Sequence, residues 1–199
     1  MTKYPFLAVL LLAAIATLSS CGLLHKPQTL TPLDQETINR LRPGLLPRYF
    51  ANFKARNVAE LPDDDSTRYK TWLGEPIPQL DNQFGIGEVF GSGSSRTIGI
   101  RMRGMIYFPK SGTYTFQALS NDGVIMYVGD TVVVSDPVQH SDQMSEETTI
   151  EIAEAGIYPV RVDYFQRKGT AALRLFWKTP DNDTMTIVPT SSFGHLPAD

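Results

Sequence analysis

Residues 111–130, SGTYTFQALSNDGVIMYVGD, constrain the fold of this chain more than any other stretch. Tyr114, Phe116 and Ala118 alternate with Thr113, Thr115 and Gln117, the period-two signature of a strand with one buried face. A second alternating run, residues 124–128, follows at once, with Ser120-Asn121-Asp122-Gly123 between the two. Asn, Asp and Gly all tolerate positive φ, so this connection predicts a β-hairpin. After Val128, Gly129-Asp130 predicts another tight turn into residues 131–134.

The same alternation recurs on both sides. Ile98, Ile100, Met102, Ile106 and Phe108 alternate with Gly99, Arg101, Arg103, Met105 and Tyr107, which predicts a long strand with one basic, solvated face. Pro109-Lys110-Ser111-Gly112 turns it into the opening hairpin. Residues 148–153 alternate again and Glu154-Ala155-Gly156 turns. Val160, Val162 and Tyr164 are answered, after Gln166-Arg167-Lys168-Gly169, by Leu173, Leu175 and Trp177, and residues 185–188 close the series. Short strands separated by turns about every ten residues, with almost no helix, predict an all-β antiparallel sandwich or barrel. No internal repeat is visible.

The preceding residues read differently. Residues 44–50 read as a strand that Pro47 confines to a sheet edge. Residues 52–83 read as irregular, with Trp72 as a core plug and Asp63-Asp64-Asp65 as a solvated acidic loop. The Gly91-Ser92-Gly93-Ser94-Ser95 run lacks the Lys-Ser/Thr helix start of a phosphate cradle and reads as a loop. Thr31-Pro32-Leu33-Asp34 carries a helix start, with Thr31 as N-cap, and Leu33, Thr37, Ile38 and Leu41 form its apolar stripe before Pro43-Gly44 stops it.

Residues 1–20 have a basic start at Lys3 and an apolar stretch, residues 6–18, of signal-peptide length. That stretch ends in Leu18-Ser19-Ser20-Cys21, which resembles the lipobox of bacterial lipoproteins, where the cysteine is acylated and becomes the first mature residue. Cys21 is the single cysteine of the chain, so neither an internal disulfide nor a thiolate zinc site is available. Gly22 follows instead of an inner-membrane-retaining Asp, which by the same resemblance implies an outer-membrane lipid anchor. The roughly 20 residues up to Pro43 would reach about 25 Å as a flexible tether. Formal net charge is −3 without a long block of one sign, which does not suggest a nucleic-acid partner.

The order of these signals resembles the PA14 domain family, the β-sandwich module of protective antigen, flocculins and bacterial adhesins. Gly104-Met105-Ile106-Tyr107-Phe108-Pro109-Lys110-Ser111-Gly112-Thr113-Tyr114-Thr115-Phe116 and Ser120-Asn121-Asp122-Gly123-Val124 carry the resemblance. So do Asp136, His140, residues 155–164 and Leu173-Arg174-Leu175-Phe176-Trp177. It implies a PA14-like antiparallel β-sandwich over residues 44–196, preceded by a lipoprotein signal peptide (1–20) and a lipidated Cys21 with tether and short helix (21–43).

In carbohydrate-binding members of that family, two consecutive aspartates before the Gly bind calcium, which chelates sugar hydroxyls. The matching pair here is Asn121-Asp122, so one of the two acids is replaced by an amide. Calcium takes six to eight oxygens and its affinity rises with carboxylate count, so the resemblance implies a weakened site. A second family loop, residues 165–171, would add Gln166 and carbonyls near Gly169, and Asp136 and His140 become candidates of the ligand loops. Two functions follow from the resemblance: a scaffold or protein-interaction lipoprotein of the cell envelope, or a calcium-dependent carbohydrate-binding one. Partners would be the lipid bilayer, through acylated Cys21, and a glycan or an envelope protein.

Catalysis is not expected. Glu146 and Glu147 are adjacent on an extended segment and point apart. Asp163 falls on the solvated side of its alternating strand, and His25, His140 and His195 form no metal-ligand pattern. No glycine elbow surrounds any serine.

Overall fold

The computed structural model describes residue 30 and residues 32–197. Residues 1–20, expected to be a signal peptide, and Cys21 lie outside the described residues, as does Thr31. Among the described residues fourteen strands build two antiparallel sheets. They are β1 (Arg42–Pro43), β2 (Leu46–Ala51), β3 (Thr71–Leu73), β4 (Asp81–Gly85), β5 (Ile98–Phe108), β6 (Gly112–Asn121) and β7 (Val124–Val128). The others are β8 (Thr131–Asp136), β9 (Gln143–Met144), β10 (Thr148–Ile152), β11 (Gly156–Gln166), β12 (Ala171–Thr179), β13 (Asn182–Ile187) and β14 (Phe193–His195). The eight-stranded sheet runs β1-β14-β5-β11-β7-β8, with β2 also on β5 and β3 on β2. The six-stranded sheet runs β10-β6-β12-β13, with β4 also on β12 and β9 on β6.

The expected sandwich is therefore present, but its connections differ from the expected hairpins. β6 and β7 lie in different sheets, so Asn121-Asp122-Gly123 carries the chain from one layer to the other. The turns after β5, β10 and β11 do the same, whereas β7–β8 and β12–β13 are true hairpins. Alternation specifies that a strand has one buried face, and both layers of a sandwich satisfy that equally. The crossings let inward faces meet. Phe108 on β5 packs against Tyr114, Phe116 and Trp177 of the opposite sheet and Tyr158 of its own, with ring centroids 4.7–6.2 Å apart.

Two further expectations are corrected. β2 is internal, between β3 and β5. Pro47 is tolerated there because its carbonyl accepts from Gly74 N at 3.0 Å, just past the end of β3. Its nitrogen faces the same side, where no ladder bond is required of it. Residues 52–65 also fold back over the outer face of the larger sheet, burying Phe53, Val58 and Leu61 against Phe50, Ile125 and Phe165. The outer face of β5 and β11 is consequently dry at Arg101 and Asp163, both expected in solvent and both buried. Trp72 is half-buried and stacks 5.3 Å from Tyr49.

The short helix, α1 (Gln35–Asn39), is N-capped by Asp34, whose carboxylate accepts from Thr37 N at 2.9 Å, and not by Thr31. Its approach is docked on the sandwich. Leu33 N donates to Ile157 O at 2.7 Å, Pro32 packs on Gly156, and Leu30 touches Gly129 and the core. Residues 32–43 are thus attached to the domain and shorten the reach expected of a free tether.

Candidate functional site

The crossing after β6 brings Asn121 and Asp122 to one end of the sandwich, where the β8–β9 and β11–β12 connections converge. Register explains the meeting: Asn121 pairs with Ala172 at the start of β12, and Val124 pairs with both Tyr164 and Asp136. Gly123 has no room for a side chain. A Cβ there would lie 2.5 Å from Pro137 O and 2.9 Å from Asp136 O. The glycine is needed for this close approach between loops.

Between these loops is a cleft of about 310 Å³, lined by Asn121, Asp122, His140, Lys168, Gly169 and Thr170, with Gln139 and Ser141 at its side. The Asn121-Asp122 peptide is cis. Asn121 Nδ2 donates to Asp142 Oδ1 at 2.8 Å and to Thr170 Oγ1 at 3.0 Å, while Asn121 O accepts from the Tyr164 hydroxyl at 2.6 Å. Burial drives the Tyr164 phenol well above its ordinary pKa, so it stays a donor. Asp122 is 1 % exposed, and burial raises its carboxyl above the ordinary range, partly offset by the Arg167 N–H that donates to Oδ2 at 2.7 Å.

The sequence-derived candidates separate into two groups. Asn121, Asp122, His140 and Gly169 line the cleft. Gln166 is fully buried behind it and braces the loop, with Nε2 donating to Gly169 O at 3.3 Å and Thr170 O at 3.1 Å; its Oε1 has no partner. Asp136 supports the adjacent loop. It accepts from Gln143 Nε2 at 3.1 Å, and its Oδ2 lies 3.1 Å from His140 Nε2, off the direction of a ring hydrogen bond. Sequence reasoning does not find Asp142, Thr170 and Tyr164 as site residues. Asp142 is visible there only as one of several acids in a polar loop, and no spacing ties it to Asn121.

For calcium, this donor set is poor in charge. Asp122 is the one buried carboxylate lining the cleft, and Asn121 beside it offers a neutral amide in place of a second charge. Among the described residues no group of three or more His, Cys, Asp or Glu side chains is arranged to hold a metal ion. The residues present do not match a site that wants six to eight oxygens and several carboxylates.

The site is thus a polar cleft between the inter-sheet loops of a two-layer antiparallel sandwich. The chain belongs to the PA14 domain family, whose model matches residues 41–191. It is similar to Anti-sigma-I factor RsgI3 of Acetivibrio thermocellus, 27% identical over 125 residues, which are 60% of this chain and 19% of that protein. Among solved structures it resembles an anti-sigma factor domain-containing protein (TM-score 0.62, 23% identity), covering 79% of this chain and 48% of that one. The PA14 sugar-binding domain from an RTX adhesin matches with TM-score 0.61 and 17% identity, over 77% of this chain and 98% of that chain. The A domain of Epithelial Adhesin 9 from Candida glabrata, solved in complex with Galb1-4GlcNAc, matches with TM-score 0.63 and 12% identity, over 86% and 97% of the two chains. This chain therefore spans about a fifth of the curated relative and about half of the first structural one, and the structural likenesses establish the fold.

Proposed function

We propose that this chain is a lipid-anchored PA14 binding module of the bacterial cell envelope, acting as a scaffold or protein-interaction lipoprotein and not as an enzyme. The observation that carries this reading is the cleft itself: a hydrogen-bonded polar surface with one buried carboxylate, short of the charge a metal-bridged lectin needs. The route of the chain supports it. Leu30 sits at the Gly129 turn beside Pro159 and Pro32 at Gly156, while the cleft lies by Gln166, seven to ten residues along β11 and roughly 23–33 Å away at 3.3 Å per residue. An anchor at Cys21 would hold the opposite end of the sandwich and leave the cleft facing away from the membrane.

Cell fractionation tests the anchor. Cys21→Ala is expected to move most of the protein from the outer-membrane fraction to the soluble one, since acyl chains supply about 0.8 kcal/mol per buried methylene. Retention in the membrane would mean another attachment. The second reading, calcium-dependent glycan binding, is favoured by Asp122 at the family position. Titration calorimetry of the full chain in detergent separates the two. The scaffold reading expects no saturable heat at millimolar calcium; a saturable heat that Asp122→Asn abolishes would establish the second reading instead.

A further inference from the structure

The outer face of the larger sheet carries a second polar feature, outside the cleft. Register sets Arg103 opposite Arg161, Arg101 opposite Asp163, and Arg48 opposite Arg101. Like charges directly opposite one another on a sheet are unfavourable unless an anion sits between them. One is supplied from within. Asp64, from the acidic run read as solvated, reaches back to Arg101 Nη1 at 3.1 Å, to Arg48 Nε at 3.5 Å, and to Arg103. Asp163 engages Arg101 through both carboxylate oxygens, at 2.8 and 3.2 Å. Four arginines thus face two aspartates, with Asp63 and Asp65 exposed on either side of Asp64.

Arg161 is the least committed of the four. Its guanidinium lies over the Tyr127 ring, 4.0 Å from the centroid, and its Nε is 3.5 Å from Asp163 Oδ2 without forming a hydrogen bond. Its side chain is 38% exposed. Arg103 and Arg161 border a groove of about 390 Å³ whose other walls include Leu46, Met105, Pro159 and Leu196. A planar guanidinium held by stacking, its side chain 38% exposed although Nε itself is buried, is suited to a carboxylate. The apolar walls suit a chain that brings side chains with it more than a hydrated ion.

We propose that the groove between Arg103 and Arg161 is a docking site for an acidic peptide segment of a protein partner. Asp64 is the internal precedent, a carboxylate already held by this arginine patch. The proposal rests on the reading of the chain as an interaction module, but on neither the lipid anchor nor the cleft, so Cys21→Ala and Asp122→Asn should leave it unchanged.

The test is fluorescence anisotropy of labelled hexaglutamate with the full chain in neutral detergent, at low and physiological salt. Saturable binding is expected, weakened by salt, and reduced about tenfold or more by Arg161→Gln, the scale of one lost charge-assisted hydrogen bond. Arg161→Lys should restore part of it. The net charge of −3 works against nonspecific binding of a polyanion, so binding at all is informative. Equal affinity in wild type, Arg161→Gln and Arg103→Gln would overturn the proposal. So would displacement by inorganic phosphate or phosphatidylglycerol vesicles at equivalent charge, which would assign the patch to a small anion or a lipid headgroup.

Discussion

Replacing Asp163 with alanine is expected to lower the unfolding free energy by about 3–5 kcal/mol, the cost of stranding one member of a buried ion pair. Both side chains are 7% exposed, and Arg101 Nε and Nη2 donate to the two oxygens of Asp163. Without the carboxylate, Arg101 keeps Pro62 O at 2.8 Å and Asp64 at 3.1 Å, which places the loss toward the lower end. At this size each kcal/mol is worth about 2–4 °C, so melting should fall by roughly 10 °C. Urea denaturation of Asp163→Ala and of the double variant Arg101→Met/Asp163→Leu decides the cause. The double variant should recover much of the loss, because apolar residues of similar volume remove both desolvation penalties together. A single variant within about 1 kcal/mol of wild type would mean that water reaches Arg101 and that the packing of residues 52–65 over the sheet is loose.

Asp163 also marks what the sequence could not disclose. Its strand is legible, since Val162 and Tyr164 alternate around it, but burial of the second face depends on a segment with no periodicity. Residues 52–65 contain Phe53, Val58 and Leu61 at irregular spacing, and their packing on Gly99, Phe50 and Phe165 is set by tertiary contact alone. Pairing the lone acid at 163 with one of the arginines at 101 and 103 needs the β5–β11 register. The strands and the sandwich are readable because period-two patterning is local. The sheet to which each strand belongs is not, because Asn-Asp-Gly suits a crossing as well as a hairpin. At the cleft, Asn121 and Asp122 are reachable through the family resemblance. Asp142 and Thr170 follow only from how loops distant in sequence converge.

Gly123→Ala should destabilise the sandwich by about 1–3 kcal/mol or more and open the cleft, because the added methyl meets backbone on a side that cannot yield. Its nearest neighbours would be Pro137 O at 2.5 Å, Pro137 C at 2.6 Å and Asp136 O at 2.9 Å. From the other side, Phe165 N donates to Gly123 O at 3.1 Å, so the residue cannot simply withdraw. The β8–β9 loop must then move outward, taking His140 with it and loosening Asn121 Nδ2 from Asp142. Thermal melts and limited proteolysis of residues 137–143 would report both effects. Gly169→Ala is the informative control. That glycine has φ +80°, and an added methyl would meet nothing within 4 Å, so its cost is conformational, about 1–2 kcal/mol, without displacing the neighbouring loop. If the two variants lose similar stability and neither exposes residues 137–143 to protease, the glycine at 123 serves the turn alone; a larger loss at 123 together with new cleavage there ties the crossing between sheets directly to the shape of the cleft.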